Sequence, residues 1–153
     1  KPVDYGTMYR ELVAILAQNL PQMDEIHVIG KAISQRPEKG AAVAAAEFLQ
    51  ANSSDHAGFS PRNVRRMRDF YKTYENDQAL LQLAMKIGWT LNVLIMEAKL
   101  SRLQKRFYIY KAMTEKRLRT EQLERLRAEH GTDGIISLLA YMEDEPIFFS
   151  QSR

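Results

Sequence analysis

Four cations, Arg62, Arg65, Arg66 and Lys72, fall on one side of a short segment of this chain. The segment reads Gly58-Phe59-Ser60-Pro61-Arg62-Asn63-Val64-Arg65-Arg66-Met67-Arg68-Asp69-Phe70-Tyr71-Lys72. Ser60 is a helix-capping residue and Pro61 suits a first helical turn, so a helix is expected from Pro61 to about Tyr74. At helical spacing Val64, Met67, Tyr71 and Tyr74 form an apolar stripe with Phe70 beside them; the four cations and Asp69 lie opposite. Arg68 sits on the flank. The chemistry open to such a face is recognition of a polyanion. A guanidinium clamps a phosphate or grips a guanine edge at two points, so nucleic acid is the first partner to consider. The expected DNA-contacting residues are Arg62, Arg65, Arg66, Arg68 and Lys72, joined by Lys105 and Arg106 further along. Lys111, Lys116, Arg117 and Arg119 would extend the footprint along the backbone. Asp69, four residues after Arg65, is expected to hold its guanidinium. Asn63 faces the buried side, where it would make a structural hydrogen bond. The competing reading is that the arginines form ion pairs with the acidic first 60 residues.

Bond-making chemistry finds little support. With zero cysteines there are no disulfides and no thiolate metal sites. His27, His56 and His130 are far apart, and none has another four residues away, so no metal site is expected. No Walker loop, GxGxxG or GxSxG is present. One nuclease-like fragment exists, Glu97-Ala98-Lys99 with Asp77 upstream. Such a site needs carboxylates on adjoining strands that share Mg²⁺, and both acids here fall in helical context. Glu143, Asp144 and Glu145 read as a solvated acidic tail. The expectation is a non-catalytic chain without cofactor or metal.

The elements that must carry the cationic face are nearly all helical. A first helix is expected from about Tyr5 to Asn19, ended by Pro21, and a second from about Met23 to Gln35, followed by Pro37 and Gly40. The alanine-rich run Ala41–Ala51 is a third, suited to close helix approach. Asn52-Ser53-Ser54-Asp55 is a break before the cationic helix. Helix, loop and basic helix in that order suggest a helix-turn-helix-like or winged-helix-like element, with a loop longer than the tightest forms. Leu80, Leu81, Leu83, Ala84 and Ile87 indicate another short helix, and Thr90 is expected to cap the next, over Leu91, Leu94 and Ile95. An amphipathic helix should run from Ser101 to Lys116 with Leu103, Phe107, Tyr110 and Met113 or Tyr108 inward. Two more are expected at Thr120–Glu129 and Asp133–Met142, the first stopped by Gly131. The fold class is therefore all-α. The 153 residues suit one helical domain, 1–142, with a tail, 143–153, whose Ile147-Phe148-Phe149 would dock on the core or engage a partner chain.

Charge is unevenly spread. The net +3 divides into −2 over residues 1–60, +2 over 61–98, +6 over 99–129 and −3 over 130–153. A basic centre between acidic ends fits a cationic groove or face. A hydrophobic content of 45% is enough for a packed core, and no apolar run approaches the roughly 20 residues that span a bilayer. The first 20 residues lack the pattern of a signal peptide.

The segment Gly58-Phe59-Ser60, Asn63, Met67-Arg68, Phe70-Tyr71 and Tyr74 resembles the signature of the N-terminal domain of YhcG-type bacterial proteins. Ile29-Gly30-Lys31-Ala32-Ile33, Gly88-Trp89-Thr90 with Leu94, Arg106-Phe107-Tyr108 and Gln122-Leu123-Glu124-Arg125 resemble further family segments in the same order. The resemblance runs from about Tyr9 to Leu126. Ile26-His27 stands where the family usually has an aromatic pair, Leu91 where it has a histidine, and Leu118 where it has a tryptophan. The resemblance implies a helical DNA-binding domain that precedes a PD-(D/E)xK-type nuclease domain, in bacterial cytoplasm. The residues after Leu126 are too few for that nuclease. The expectation is a DNA-binding module that brings a nuclease, in cis or in trans, to duplex or branched DNA. The alternative is a protein-interaction or homo-oligomerisation module of a bacterial defence or mobile-element system.

Overall fold

The computed structural model describes residues 3–55 and 57–114, together with position 128. These form seven helices and no strand: α1 (Gly6–Ala17), α2 (Gln22–Ser34), α3 (Ala41–Asn52), α4 (Pro61–Tyr74), α5 (Gln78–Ala84), α6 (Trp89–Glu97) and α7 (Arg102–Thr114). The fold is all-α, as the sequence pattern implies. The chain divides into two units, one ending at Asn76 and the other beginning at Asp77. The helices expected at 120–129 and 133–142, and the tail from 143, lie outside the described residues.

The first unit holds α1 to α4. After α1 the backbone turns through Asn19 at φ 49°, a conformation asparagine tolerates well, and Pro21 prevents the helix from continuing. α2 then opens with Asp24 and Glu25 in its first turn, where acidic groups complement the exposed amides, and carries Lys31 in its last. Its buried side is Met23, Ile26, Ile29, Gly30, Ala32 and Ile33. α3 buries Ala41, Ala42, Ala45, Ala46 and Leu49. Short side chains on that stripe let neighbouring backbones come close. α1 adds Met8, Leu12 and Ile15. α4 packs chiefly along α2, with α3 as its second partner.

One close approach explains the α2–α4 pairing. Gly30 sits against the Met67 main chain, so a Cβ there would fall onto the Met67 carbonyl, 2.8 Å from its carbon, and 3.1 Å from the Tyr71 Cβ. Glycine is required here by space, and the helix accepts its propensity cost of about 1 kcal/mol in return for the contact.

The second unit contains α5, α6 and α7, with α7 packed on both others. Asp77 caps α5 by accepting from the Leu80 amide at 3.2 Å. Gly88, at φ 83°, turns the chain into α6. Thr90 is not the cap expected of it: Trp89 is already helical and Gly88 holds the capping position. Asn92 does the local work instead. Its fully buried side-chain amide donates to the carbonyls of Ala84 at 2.8 Å and Gly88 at 2.7 Å, tying the end of α5 to the start of α6. Ile87 lies beyond the end of α5, in the turn. α7 buries Tyr108 and Ile109, whereas Leu103, expected inward, is 74% exposed. The aromatic-rich α7 sequence supports more than one apolar phase, and packing selected the one centred on Tyr108.

Candidate nucleic-acid interface

α4 begins as its sequence requires. Ser60 Oγ accepts from the Asn63 amide at 3.1 Å, and Pro61 occupies the first turn. Asn63 lies toward the protein, and its side-chain amide donates to the Gly58 carbonyl at 2.6 Å. The preceding loop is fastened at two further points. The Gly58 amide donates to Asp55 Oδ1 at 3.0 Å, and Gln50 Nε2 reaches from α3 to donate to the Phe59 carbonyl at 2.8 Å. Phe59 itself is buried. Neither Asp55 nor Gln50 is among the residues that the sequence pattern assigns to the site. The Asp55-to-Gly58 spacing is a readable turn signal, but nothing in the sequence marks Gln50 as a strut.

The apolar face of α4 inserts Val64, Met67, Phe70 and Tyr74 into the first unit. Phe70 and Tyr74 meet edge to face with ring centres 5.2 Å apart. His27 of α2 lies edge-on to Phe70 at 6.3 Å and tilted against Tyr71 at 5.3 Å. Burial, and then the charge of Lys31, hold the His27 pKa below its ordinary value, although Asp24 opposes them. In the first turn of α2, burial and then the charge of Asp55 raise the Glu25 carboxyl.

On the opposite face Arg62, Arg65, Asp69 and Lys72 are exposed, and Arg66 and Arg68 are half-buried. Arg62, Arg65 and Lys72 form no ion pair with any described residue. The competing reading, in which acidic residues of the first 60 take up the arginines, therefore does not describe these three. Asp69 does not hold Arg65 as expected. Its Oδ1 lies 3.7 Å from the Nε of Arg68, whose side chain is 21% exposed. Sequence-adjacent residues meet here because packing lays Arg68 along the flank, leaving its Nε buried without a hydrogen-bond partner. The accessible cationic face thus centres on Arg62, Arg65 and Lys72, spread over about 15 Å of helix at 1.5 Å per residue.

Lys105 and Arg106 belong to the second unit, half-buried on α7. One turn earlier Arg102 donates through Nε to Asp77 Oδ2. That bond is the main reason the Asp77 carboxyl lies below its usual range, with the Leu80 amide assisting and partial burial opposing. Asp77 is therefore engaged as a helix cap and ion-pair partner, and Glu97 is the last residue of α6. Among the described residues no group of three or more His, Asp or Glu side chains is placed to hold a metal ion. No described helix is long and apolar enough to cross a membrane. His56, His130, Lys116, Arg117 and Arg119 lie outside the described residues, as does the side chain of Lys111.

The described helices make the fold all-α, and the family follows from the sequence. The model of the DUF1016 N-terminal domain matches residues 12–130, and this chain belongs to that family. The resemblance to YhcG-type N-terminal domains is consistent with it. Neither the curated proteins nor the solved structures provide a match to the chain.

Proposed function

We propose that this chain is a non-catalytic DNA-binding module that presents α4 to duplex or branched DNA and serves a nuclease in cis or in trans. The observation that carries the proposal is the contrast between the two faces of α4. One face is fixed in the core by Val64, Met67, Phe70 and Tyr74, while Arg62, Arg65 and Lys72 on the other face pair with no described residue. A mounted helix with free cations gives phosphates and base edges a preformed partner. The capped N-terminus of α4 adds main-chain amides favourable to a phosphate. In this reading α3, its loop and α4 act as a helix-turn-helix-like element, with α2 as the backing on which α4 rests. Lys105 and Arg106, on the second unit by itself, are further candidates for DNA contact.

The test is fluorescence anisotropy of a labelled duplex and a four-way junction at about 50 and 200 mM salt, with an Arg62→Glu/Arg65→Glu variant alongside. The expected result is salt-sensitive binding by the wild type and its loss in a variant whose circular dichroism is unchanged. No binding at low salt would overturn the proposal and favour a protein-interaction module.

A further inference from the structure

Asp69 is out of place on a surface meant only for phosphate. It lies one turn beyond Arg65 and three residues before Lys72, on the face with the exposed cations. A carboxylate there repels every phosphate that the neighbouring cations attract. It is not consumed within the fold: its side chain is 54% exposed, and Arg68 Nε stands at 3.7 Å, beyond hydrogen-bond distance. The bond that Thr73 Oγ1 donates to residue 69, at 2.7 Å, goes to the main-chain carbonyl. The carboxylate accepts no hydrogen bond from a described residue. Asp69 therefore presents acceptors, steadied by Arg68, beside the donors of Arg65.

The DNA major groove supplies the matching pattern. Guanine offers O6 and N7 acceptors to an arginine fork, and the cytosine N4 amino group is a donor for which a carboxylate is the fitting acceptor. Residues four apart on a helix are separated by about 6 Å along its axis, roughly two base steps at 3.4 Å each. Resting on the DNA-binding reading above, we propose that α4 reads base edges in the major groove, with Arg65 gripping a guanine and Asp69 accepting from a cytosine amino group one or two steps away. The partner is then a duplex with G·C pairs at defined positions, and the carboxylate acts by selection: it weakens contact with backbone alone and is compensated only where cytosine meets it. Arg62 and Lys72, at the two ends of the face, supply the phosphate contacts that set the register.

The experiment is selection from a randomised duplex pool by the full chain, read by sequencing, for wild type, Asp69→Ala, Asp69→Asn and Arg65→Ala. The wild type is expected to enrich a short motif containing guanine and cytosine, with preferences of about tenfold or more at those positions. Asp69→Ala should lose the cytosine preference while total binding rises. Asp69→Asn should move that position toward adenine, because an asparagine amide matches the adenine N6 and N7 edge. Arg65→Ala should lose the guanine. Wild-type binding without enrichment of any base, or an identical motif in both Asp69 variants, would overturn the inference while leaving DNA binding intact. No wild-type binding at low salt would overturn the DNA-binding reading and this inference with it.

Discussion

Gly30 in α2 faces the main-chain carbonyl of Met67 in α4, with no room for a methyl group between them. Gly30→Ala would gain about 1 kcal/mol of helix propensity. The obstacle is backbone, however, and cannot swing aside as a side chain would, so α2 and α4 must separate. Overpacking of this kind costs about 1–3 kcal/mol. The expected outcome is a net loss of stability in urea unfolding, together with weaker DNA binding because the mount of α4 is disturbed.

Ser60→Ala removes the oxygen that accepts the Asn63 amide and leaves Pro61 in place. A loss of about 1 kcal/mol is expected. Amide hydrogen exchange at Asn63 reads it directly: protection in the first turn of α4 should fall, while α1 exchange stays unchanged.

Asn92→Ala removes the side-chain amide that donates to the Ala84 and Gly88 carbonyls and leaves each with its longer main-chain bond alone, from the Ile87 and Asn92 amides at 3.3 Å. A hydrogen bond within a protein contributes about 0.5–1.5 kcal/mol net. Guanidinium unfolding should therefore show loss of the second unit's helicity at lower denaturant than in the wild type, and Asn92→Leu, which fills the volume without the bonds, should not restore it.

His27 gives the first unit a pH dependence of definite sign. Its folded pKa is depressed by burial and by Lys31, so the unfolded chain binds the proton more readily. Stability is fully present above the unfolded histidine pKa of about 6.5 and declines as pH falls through the lower folded value. Unfolding free energy measured from pH 7 to about pH 5 should fall in the wild type. His27→Phe, which keeps a ring against Phe70 and Tyr71, should flatten the histidine part of that slope. Glu25, with its raised carboxyl pKa, has the opposite sign and is common to both proteins.

Each exposed cation that meets a phosphate should appear in the salt dependence. Arg62→Ala and Lys72→Ala are each expected to reduce the slope of log affinity against log salt by about 0.9 in duplex DNA. An unchanged slope would show that the side chain contacts no phosphate.

The bounds of α4 were legible because its start is written in local chemistry, Ser60 then Pro61, and its two faces differ sharply. The all-α class followed from periodicity in the same way. What the sequence hid depends on choices made in three dimensions. The spacing rule pairs Asp69 with Arg65, but packing places Arg68 beside it. Leu103 looked as inward as Phe107, because α7 is apolar on several sides and only its neighbours fix which side is covered. Asn92 passed unnoticed because a single polar residue in an apolar run looks solvent-facing until two carbonyls converge on it. Gln50 is the same case at the candidate site, a surface-type residue whose value comes from a loop nine positions away.

The alternation of Val64, Met67, Phe70 and Tyr74 with the cations has a thermodynamic consequence. The apolar side chains fix the rotation of α4 about its own axis, so the bases of Arg62, Arg65, Asp69 and Lys72 are held at set angles before any ligand arrives. Association then immobilises side-chain tips rather than a whole segment, which spares much of the conformational entropy that a disordered basic tail loses on binding. A ligand whose charges are spaced differently gains no such saving, so the rigidity of the mount itself discriminates between shapes.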